Sequence, residues 1–443
     1  MKINELISIT NAKVLFSGDL EQEVHISTDT RTIQFGDFYL PLKGAKFDGE
    51  DYIKEALDKG AIGAFCTKPH PELVEKPLLL KVPDTLEAYL KLANHKRKEK
   101  DYTVIAVTGS SGKTTTKELV AATLGSKYKV YKTQLNHNNE IGLCQTIFSA
   151  PDDTEILVLE MGMRGLGEIE LLSKYAEPDY TIVSNVGTAH IGRLGSKENI
   201  AQAKCEIVKY QRGNVFIAHN DELIKKTVQF NGEKIFYSIK DVKILEKNEN
   251  YSKFEYKDNI YELNVGGDYN IENALSAINC ALKLGLTVEE IQDGLKSYKT
   301  IEKRWEGVDV AGYHVINDSY NANPESMRAF VDTIFELYKD YIIVLGDMGE
   351  LGDEEIKYHT SLGKYINNHP LLSPNAKILS IGNLAENITV EIDRCFSLHF
   401  NDIDDLVDYL LEDKDKTSKL FLKASRSMKL EQIIDFLGEN YQF

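Results

Sequence analysis

The chain is poor in cysteine. Its five cysteines, Cys66, Cys144, Cys205, Cys280 and Cys395, are scattered over 443 residues and form no Cys-x-x-Cys pair. An odd, scattered set excludes a disulfide framework and a structural zinc cluster and fits a reducing cytoplasm. Asn-x-Ser/Thr triplets at Asn250 and Asn387 are then chance matches. Long apolar runs are missing as well. No window approaches the roughly 18 consecutive apolar residues of a membrane helix. The opening Met-Lys-Ile-Asn-Glu-Leu-Ile-Ser-Ile-Thr has no basic stretch followed by an apolar one, so no secretory signal is expected. Positive charge is in deficit: 52 Lys and Arg stand against 69 Asp and Glu, a net charge of −17. That argues against a nucleic-acid partner, which needs a basic surface to displace counterions. It leaves room for an anionic small ligand, since local lysines, helix N-termini and metal ions hold phosphates on acidic proteins.

What is present is ordinary globular material, 42% hydrophobic and 27% charged, enough to fill several cores. At about 150 residues per domain, the length corresponds to roughly three domains. Residues 1–98 mix short strands at 37–42 and 63–66 with a helix near 51–59. They close on an amphipathic helix at 84–98, whose basic run Lys96-Arg97-Lys98 reads as a solvated helix end. Residues 99–306 alternate apolar strands (102–107, 156–160, 180–185, 215–218) with helices (113–125, 167–175, 197–210). Such alternation implies a parallel sheet covered on both faces. This block turns strand-rich and polar at 233–265, as in an antiparallel edge or small subsheet, and closes with helices at 270–284 and 287–297. Residues 307–443 begin a second alternation, with strands at 313–318, 341–345, 378–381 and 419–422 and helices at 324–338, 354–368, 402–412 and 428–438. The expected fold is α/β in three domains: a small mixed N-terminal one, a central P-loop-type parallel-sheet ATPase domain, and a C-terminal Rossmann-like doubly wound domain.

The strongest motif is Thr108-Gly109-Ser110-Ser111-Gly112-Lys113-Thr114-Thr115, which follows an apolar strand and opens a helix. Gly109 and Gly112 let backbone N–H groups approach phosphate oxygens closely. Lys113 can bridge the β- and γ-phosphates, and Thr114 can place its hydroxyl on Mg²⁺. The common phosphate loop carries a glycine five residues before the Gly-Lys pair. Here that position is Val107, so this is the shorter Gly-x-x-Gly-Lys-Thr form.

That short loop resembles the signature of the Mur ligase family, the ATP-dependent amide-bond ligases of peptidoglycan precursor synthesis. Further matches follow in the family's order: Asn136-His-Asn-Asn-Glu-Ile-Gly142, Glu160-Met-Gly-Met-Arg-Gly165, Asn185-Val-Gly-Thr-Ala-His190, Ala203-Lys-Cys-Glu206, Asp268-Tyr-Asn-Ile-Glu-Asn-Ala274, Lys303-Arg304 and Lys423-Ala-Ser-Arg-Ser-Met428. Within the family, Asp318-Ser-Tyr-Asn-Ala-Asn-Pro324 and Leu345-Gly-Asp-Met-Gly-Glu-Leu-Gly352 resemble the member that adds D-alanyl-D-alanine to UDP-N-acetylmuramoyl-tripeptide. The aspartate-arginine motif of the member adding the third residue is not found.

The resemblance implies a chemistry and a set of roles. ATP phosphorylates the tripeptide carboxylate, the dipeptide amine attacks the acyl phosphate, and ADP and phosphate leave. Lys113, Glu160, His190 and Lys204 are implied as catalytic. Two Mg²⁺ sites are implied on Thr114, Glu160, His190 and Lys204, the last carbamylated by CO₂. ATP is implied to contact Thr108 to Thr115, Asn270, Asn273, Arg304 and Asp318. Where a histidine usually precedes the first of those asparagines, this chain has Tyr269. Ser27, Asp29, Thr30, Arg31, Gly44 and Asp48 resemble a uridine-nucleotide site. Asn138, Asn139, Asn321, Asn323, Lys423, Ser425 and Arg426 are implied for the tripeptide or dipeptide. The expected partners are small molecules only, and the chain is expected to be monomeric. Trp305 reads as an interdomain packing residue. Folylpolyglutamate synthetase shares the short loop, the carbamate and the last-domain topology, but it lacks an N-terminal uridine-binding domain. A non-catalytic nucleotide binder would not need Glu160, His190 and Lys204 together.

Overall fold

The computed structural model describes residues 1–443 except 17, 45, 72, 74–76, 301–302, 414–418 and 441–443. Its centre is a parallel sheet of six strands, in the spatial order Glu233–Tyr237, Val215–His219, Tyr180–Val183, Thr103–Thr108, Ile156–Glu160, Val130–Lys132. Alternation along these strands divides two cores. Ile105, Val107, Val158 and Ile217 pack with Leu119 and Val120 of the helix Lys113–Leu124 and with Ile271 and Leu275 of the helix Asp268–Lys283. Val104, Ala106, Leu157 and Phe216 pack instead with Leu90, Leu143, Leu172 and Ile200, from helices on the opposite face.

The strand order places the site. From Thr103–Thr108 the chain builds Val130–Lys132 and Ile156–Glu160 on one side, then crosses to Tyr180–Val183 on the other. Where the order reverses, the loops leaving the carboxyl ends diverge and open a crevice. Residues 108–114, Glu160 and 184–190 all leave the sheet there.

A five-stranded mixed sheet precedes this one, in the order Lys13–Val14, Leu78–Lys81, Gly63–Cys66, Phe38–Tyr39, Ile26–Ser27. Another six-stranded sheet follows: Glu306–Val310, Tyr313–Asn317, Lys419–Lys423, Tyr341–Gly346, Lys377–Ile381, Phe396–Phe400, with only the first strand antiparallel. Trp305 joins the middle and last sheets. It is buried, its ring lies 6.1 Å from Tyr269, 5.7 Å from Phe330 and 6.1 Å from Phe421, and Nε1 donates to the Glu249 carbonyl. No helix among the described residues is long and apolar enough to cross a membrane.

Three expectations change. Arg97 is not solvated. It is fully buried, its Nε donates to the Ala176 carbonyl (2.9 Å) and its Nη2 to that of Glu177 (3.0 Å), with Asp179 Oδ2 at 3.2 Å. The last carbonyls of the helix Glu168–Ala176 lack partners within that helix, and the guanidinium supplies them. Its own helix, Thr85–Lys100, runs two residues past the expected end. Within 233–265, Glu233–Tyr237 extends the central sheet in parallel, and only Lys243–Asn248, Tyr251–Tyr256 and Asn259–Leu263 make an antiparallel subsheet. The exposed Glu233 and Lys234 of that edge strand give it the polar look of an antiparallel edge. The edge strands Val130–Lys132, Glu306–Val310 and Phe396–Phe400 were not anticipated, since none carries a buried run.

Candidate active site

The phosphate loop is shaped by close contacts. A Cβ on Gly109 would lie 1.9 Å from Ser184 Oγ, and one on Gly112, whose φ is +74°, would lie 2.5 Å from Asn273 Oδ1. The segment after Tyr180–Val183 clamps the loop. Ser111 N donates to Asn185 Oδ1 (3.0 Å), Ser184 Oγ and Asn185 Nδ2 donate to the Ser111 carbonyl, and Gly187 N donates to Ser110 Oγ. Asn185 was not singled out as a site residue, although it stood in a quoted motif at the end of an apolar strand. Lys113 Nζ donates to the Gly109 carbonyl (2.8 Å). Burial lowers its pKa, and the nearby Glu160 carboxylate opposes that. Thr108 is buried beneath the loop, with its hydroxyl on the Met161 carbonyl.

Glu160 stands beside this loop. Asn138 Nδ2 donates to its Oε1 (2.9 Å), while its buried Oε2 has no hydrogen-bond partner. Lys117, one helical turn beyond Lys113 and also buried, lies 3.9 Å from that Oε2 and donates to the Thr133 carbonyl (2.7 Å). Lys117 was not anticipated either. Lys204 is buried, and no hydrogen bond or ion pair reaches its side-chain nitrogen among the described residues; desolvation first, and the charge of Lys113 second, hold its pKa well below the ordinary lysine value. His190 Nδ1 lies 2.5 Å from Glu350 Oε2, and Thr114 Oγ1 accepts from Arg304 Nη2 (3.0 Å). No cage of three acidic, histidine or cysteine side chains forms among the described residues. The Glu160 oxygen left without a hydrogen bond, in a cavity that Thr114 also lines, is the feature that fits a cation.

The facing wall belongs to the last sheet. Lys423 Nζ donates to Asp318 Oδ2 (2.6 Å) and to the Asn321 carbonyl. Asn323 caps the helix Pro324–Leu337, as Asn139 caps Glu140–Ser149. Ser425 Oγ lies 3.2 Å from Ser427 Oγ, and Arg426 pairs with Glu431. Asn270 Nδ2 donates to the Gly266 carbonyl, and Asn273 Oδ1 accepts from Thr116 Oγ1. The walls touch at a seam. Glu325 Oε2 accepts from Thr188 N and Oγ1, its Oε1 accepts from Lys197, and the Gly192 and Gly352 backbones meet where a Cβ on either would lie within 2.7 Å of the other. They enclose a cavity of about 1100 Å³ lined by Ser110 to Thr115, Asn138, Asn139, Glu160, His190, Asn270, Asn273, Arg304, Asp318, Asn321, Asn323, Lys423, Ser425 and Arg426.

Thr108, Gly109 and Lys204 lie outside that lining, and so do the N-terminal candidates. Ser27 Oγ donates to the Asp29 carbonyl, and Lys59 Nζ to that of Thr30. Arg31 forks onto the Asp29 carboxylate and holds its pKa down to about 2. Asp48 caps the turn Gly49–Tyr52, and Gly44 N donates to the Phe47 carbonyl.

A short glycine loop at a topological switch point, with a carboxylate beside it and an arginine reaching in from a second sheet, defines a nucleotide-dependent enzyme of several α/β layers. Residues 24–97 match the description "Mur ligase family, catalytic domain", residues 107–281 "Mur ligase middle domain" and residues 303–426 "Mur ligase, glutamate ligase domain". The chain belongs to the Mur ligase family. It is 35% identical to UDP-N-acetylmuramoyl-tripeptide--D-alanyl-D-alanine ligase of Bacillus subtilis (strain 168), covering 94% of this chain and 93% of that one. Among solved structures, MurF from Acinetobacter baumannii is 26% identical with a TM-score of 0.89, covering 99% of both chains. MurF from Thermotoga maritima, in complex with ADP, is 28% identical with a TM-score of 0.84, covering 94% of this chain and 97% of that one.

Proposed function

We propose that the chain uses ATP to join D-alanyl-D-alanine to UDP-N-acetylmuramoyl-tripeptide through an acyl phosphate, giving the pentapeptide precursor of peptidoglycan, ADP and phosphate. The observation that carries this reading is the cavity in which loop residues 110–115 and Glu160 face Arg304, Asp318 and Lys423, together with full-length likeness to ligases of that name. Residues 1–98 then take the uridine nucleotide at Ser27, Asp29 to Arg31, Gly44 and Asp48, residues 99–306 take ATP, and residues 307–443 supply the facing wall.

Each residue's part follows from its place. The loop N–H groups cradle the phosphates, and Lys113, partly buried in the cavity wall, sets its ammonium against them. Arg304 brings a second cation from the far wall. Thr114 and Glu160, with His190 and a carbamylated Lys204, would hold Mg²⁺, which lets the triphosphate and the tripeptide carboxylate approach despite their like charge. Burial without a side-chain partner disfavours the charged form of Lys204, and an uncharged amine is the form that takes up CO₂. In the same reading the chain works as a cytoplasmic monomer.

The test supplies ATP, Mg²⁺, D-Ala-D-Ala and each UDP-tripeptide, with lysine or diaminopimelate at the third position, and follows phosphate release and product mass. Product heavier by one D-Ala-D-Ala residue unit is expected with one or both. No gain in mass with either would sink the reading.

A further inference from the structure

Arg304 reaches the phosphate loop from a strained segment. Its neighbours Lys303 and Trp305 both adopt left-handed backbone, at φ 62° and 58°, a conformation that L side chains rarely adopt and that persists only where the surroundings fix it. Here they do. Lys303 N donates to Glu306 Oε2 (2.8 Å), Lys303 Nζ donates to Glu431 Oε1 (3.1 Å), and Trp305 is wedged among Tyr269, Phe330 and Phe421. Arg304 is left between them, pointing at Thr114.

Tyr320 holds this segment twice. Its ring centroid lies 4.0 Å from the Arg304 guanidinium carbon, and its backbone N–H donates to the Lys303 carbonyl (3.2 Å), immediately ahead of Arg304. No hydrogen bond reaches its hydroxyl among the described residues. Nothing in the roles assigned above uses Tyr320, although it lines the same cavity.

We propose that Tyr320 is the positioning residue that aims Arg304 at the transferring phosphate, and that it acts through its ring and not its hydroxyl. The inference rests on the ligase reading above. A free arginine side chain samples many rotamers, whereas a guanidinium stacked on an aromatic face has lost that freedom before nucleotide arrives. Its charge then meets the negative charge developing on the phosphoryl group without reorganising, which is where a fixed cation lowers a barrier.

The full-length enzyme is assayed for kcat and KM(ATP) as wild type, Tyr320→Leu, Tyr320→Phe, Arg304→Met and the double variant Arg304→Met/Tyr320→Leu, with thermal melts to confirm folding. Tyr320→Leu is expected to lower kcat/KM for ATP about 3- to 30-fold. Tyr320→Phe restores it to within about twofold, since the ring is kept. The double variant is no worse than Arg304→Met, because a positioning residue has nothing left to position. A Tyr320→Leu enzyme equal to wild type, a Tyr320→Phe enzyme as poor as Tyr320→Leu, or a Tyr320→Leu loss that persists in full without Arg304 would each overturn the proposal. Calorimetric binding of a non-hydrolysable ATP analogue repeats the same cycle without the peptide substrates. A wild-type chain that binds the analogue but joins no dipeptide therefore sinks the ligase reading, while the cycle still judges Tyr320.

Discussion

The two walls of the cavity are built differently. On the phosphate-loop side, Ser110 and Ser111 are held by Ser184, Asn185 and Gly187 through neutral hydrogen bonds and close backbone packing. On the facing side the contacts are charged: Lys423 on Asp318, Glu325 on Thr188 and Lys197, and Glu350 on His190. Neutral, short-range contacts fix a shape whatever the solvent, and suit a cradle that must be ready before nucleotide arrives. Lys423–Asp318 is a largely buried pair within the facing wall, but Glu325–Lys197 is half-exposed and crosses the seam; such pairs are weak and screened by salt, and suit a seam that must open for substrates and products.

Three experiments sharpen that contrast, from the largest effect to the smallest. Gly109→Ala drives a methyl into Ser184 Oγ. Displacing the loop by on the order of 1 Å should cost about a hundredfold in turnover, and adding Ser184→Gly should recover part of it; an active single variant would show that the loop is softer than its packing implies. Glu325→Gln removes one charge from the seam and should cost about 1 kcal/mol of closure, or about fivefold in kcat/KM, with the loss shrinking at high salt. The third is a pH effect at the same residue. Burial alone would raise the Glu325 pKa, but hydrogen bonds from Thr188 and the contact with Lys197 outweigh it and hold it below the ordinary value of 4.5. A carboxylate lowered in this way contributes its full stability above about pH 4.5 and loses it as pH falls through the lowered value. The radius of gyration with bound nucleotide should therefore grow on acidification below that point in wild type, and less so in Glu325→Gln.

The same contrast governs what the sequence discloses. Gly109, Gly112, Lys113 and Thr114 are legible because their chemistry is local: one strand, one turn and one helix start carry it. Glu160 is legible as the carboxylate that ends an apolar strand. Asn185 and Lys117 act across strands that are distant in sequence, so their value emerges only when the strand order is known. Glu325 and Glu350 stand in or beside the motifs of the last block, but their contacts depend on how one sheet sits against another. Most helix and strand spans of the three blocks were legible from periodicity, but the helices Ile3–Thr10 and Glu140–Ser149 and the interior strand Leu78–Lys81 were not, nor were the short edge strands. Arg97 misled for a related reason: a basic triplet at a helix end looks solvated until a second helix brings its bare carbonyls to meet it.

Trp305 is the only tryptophan in the chain. It sits at the junction of the two walls, against Tyr269 and the Glu249 carbonyl on one side and Phe330 and Phe421 on the other. The molecule therefore carries a built-in optical gauge. With excitation at the red edge, where tyrosine is silent, emission comes from one indole alone, and swinging the walls apart would wet that ring and shift its colour. Opening and closing can be timed in unlabelled protein, without altering a single residue.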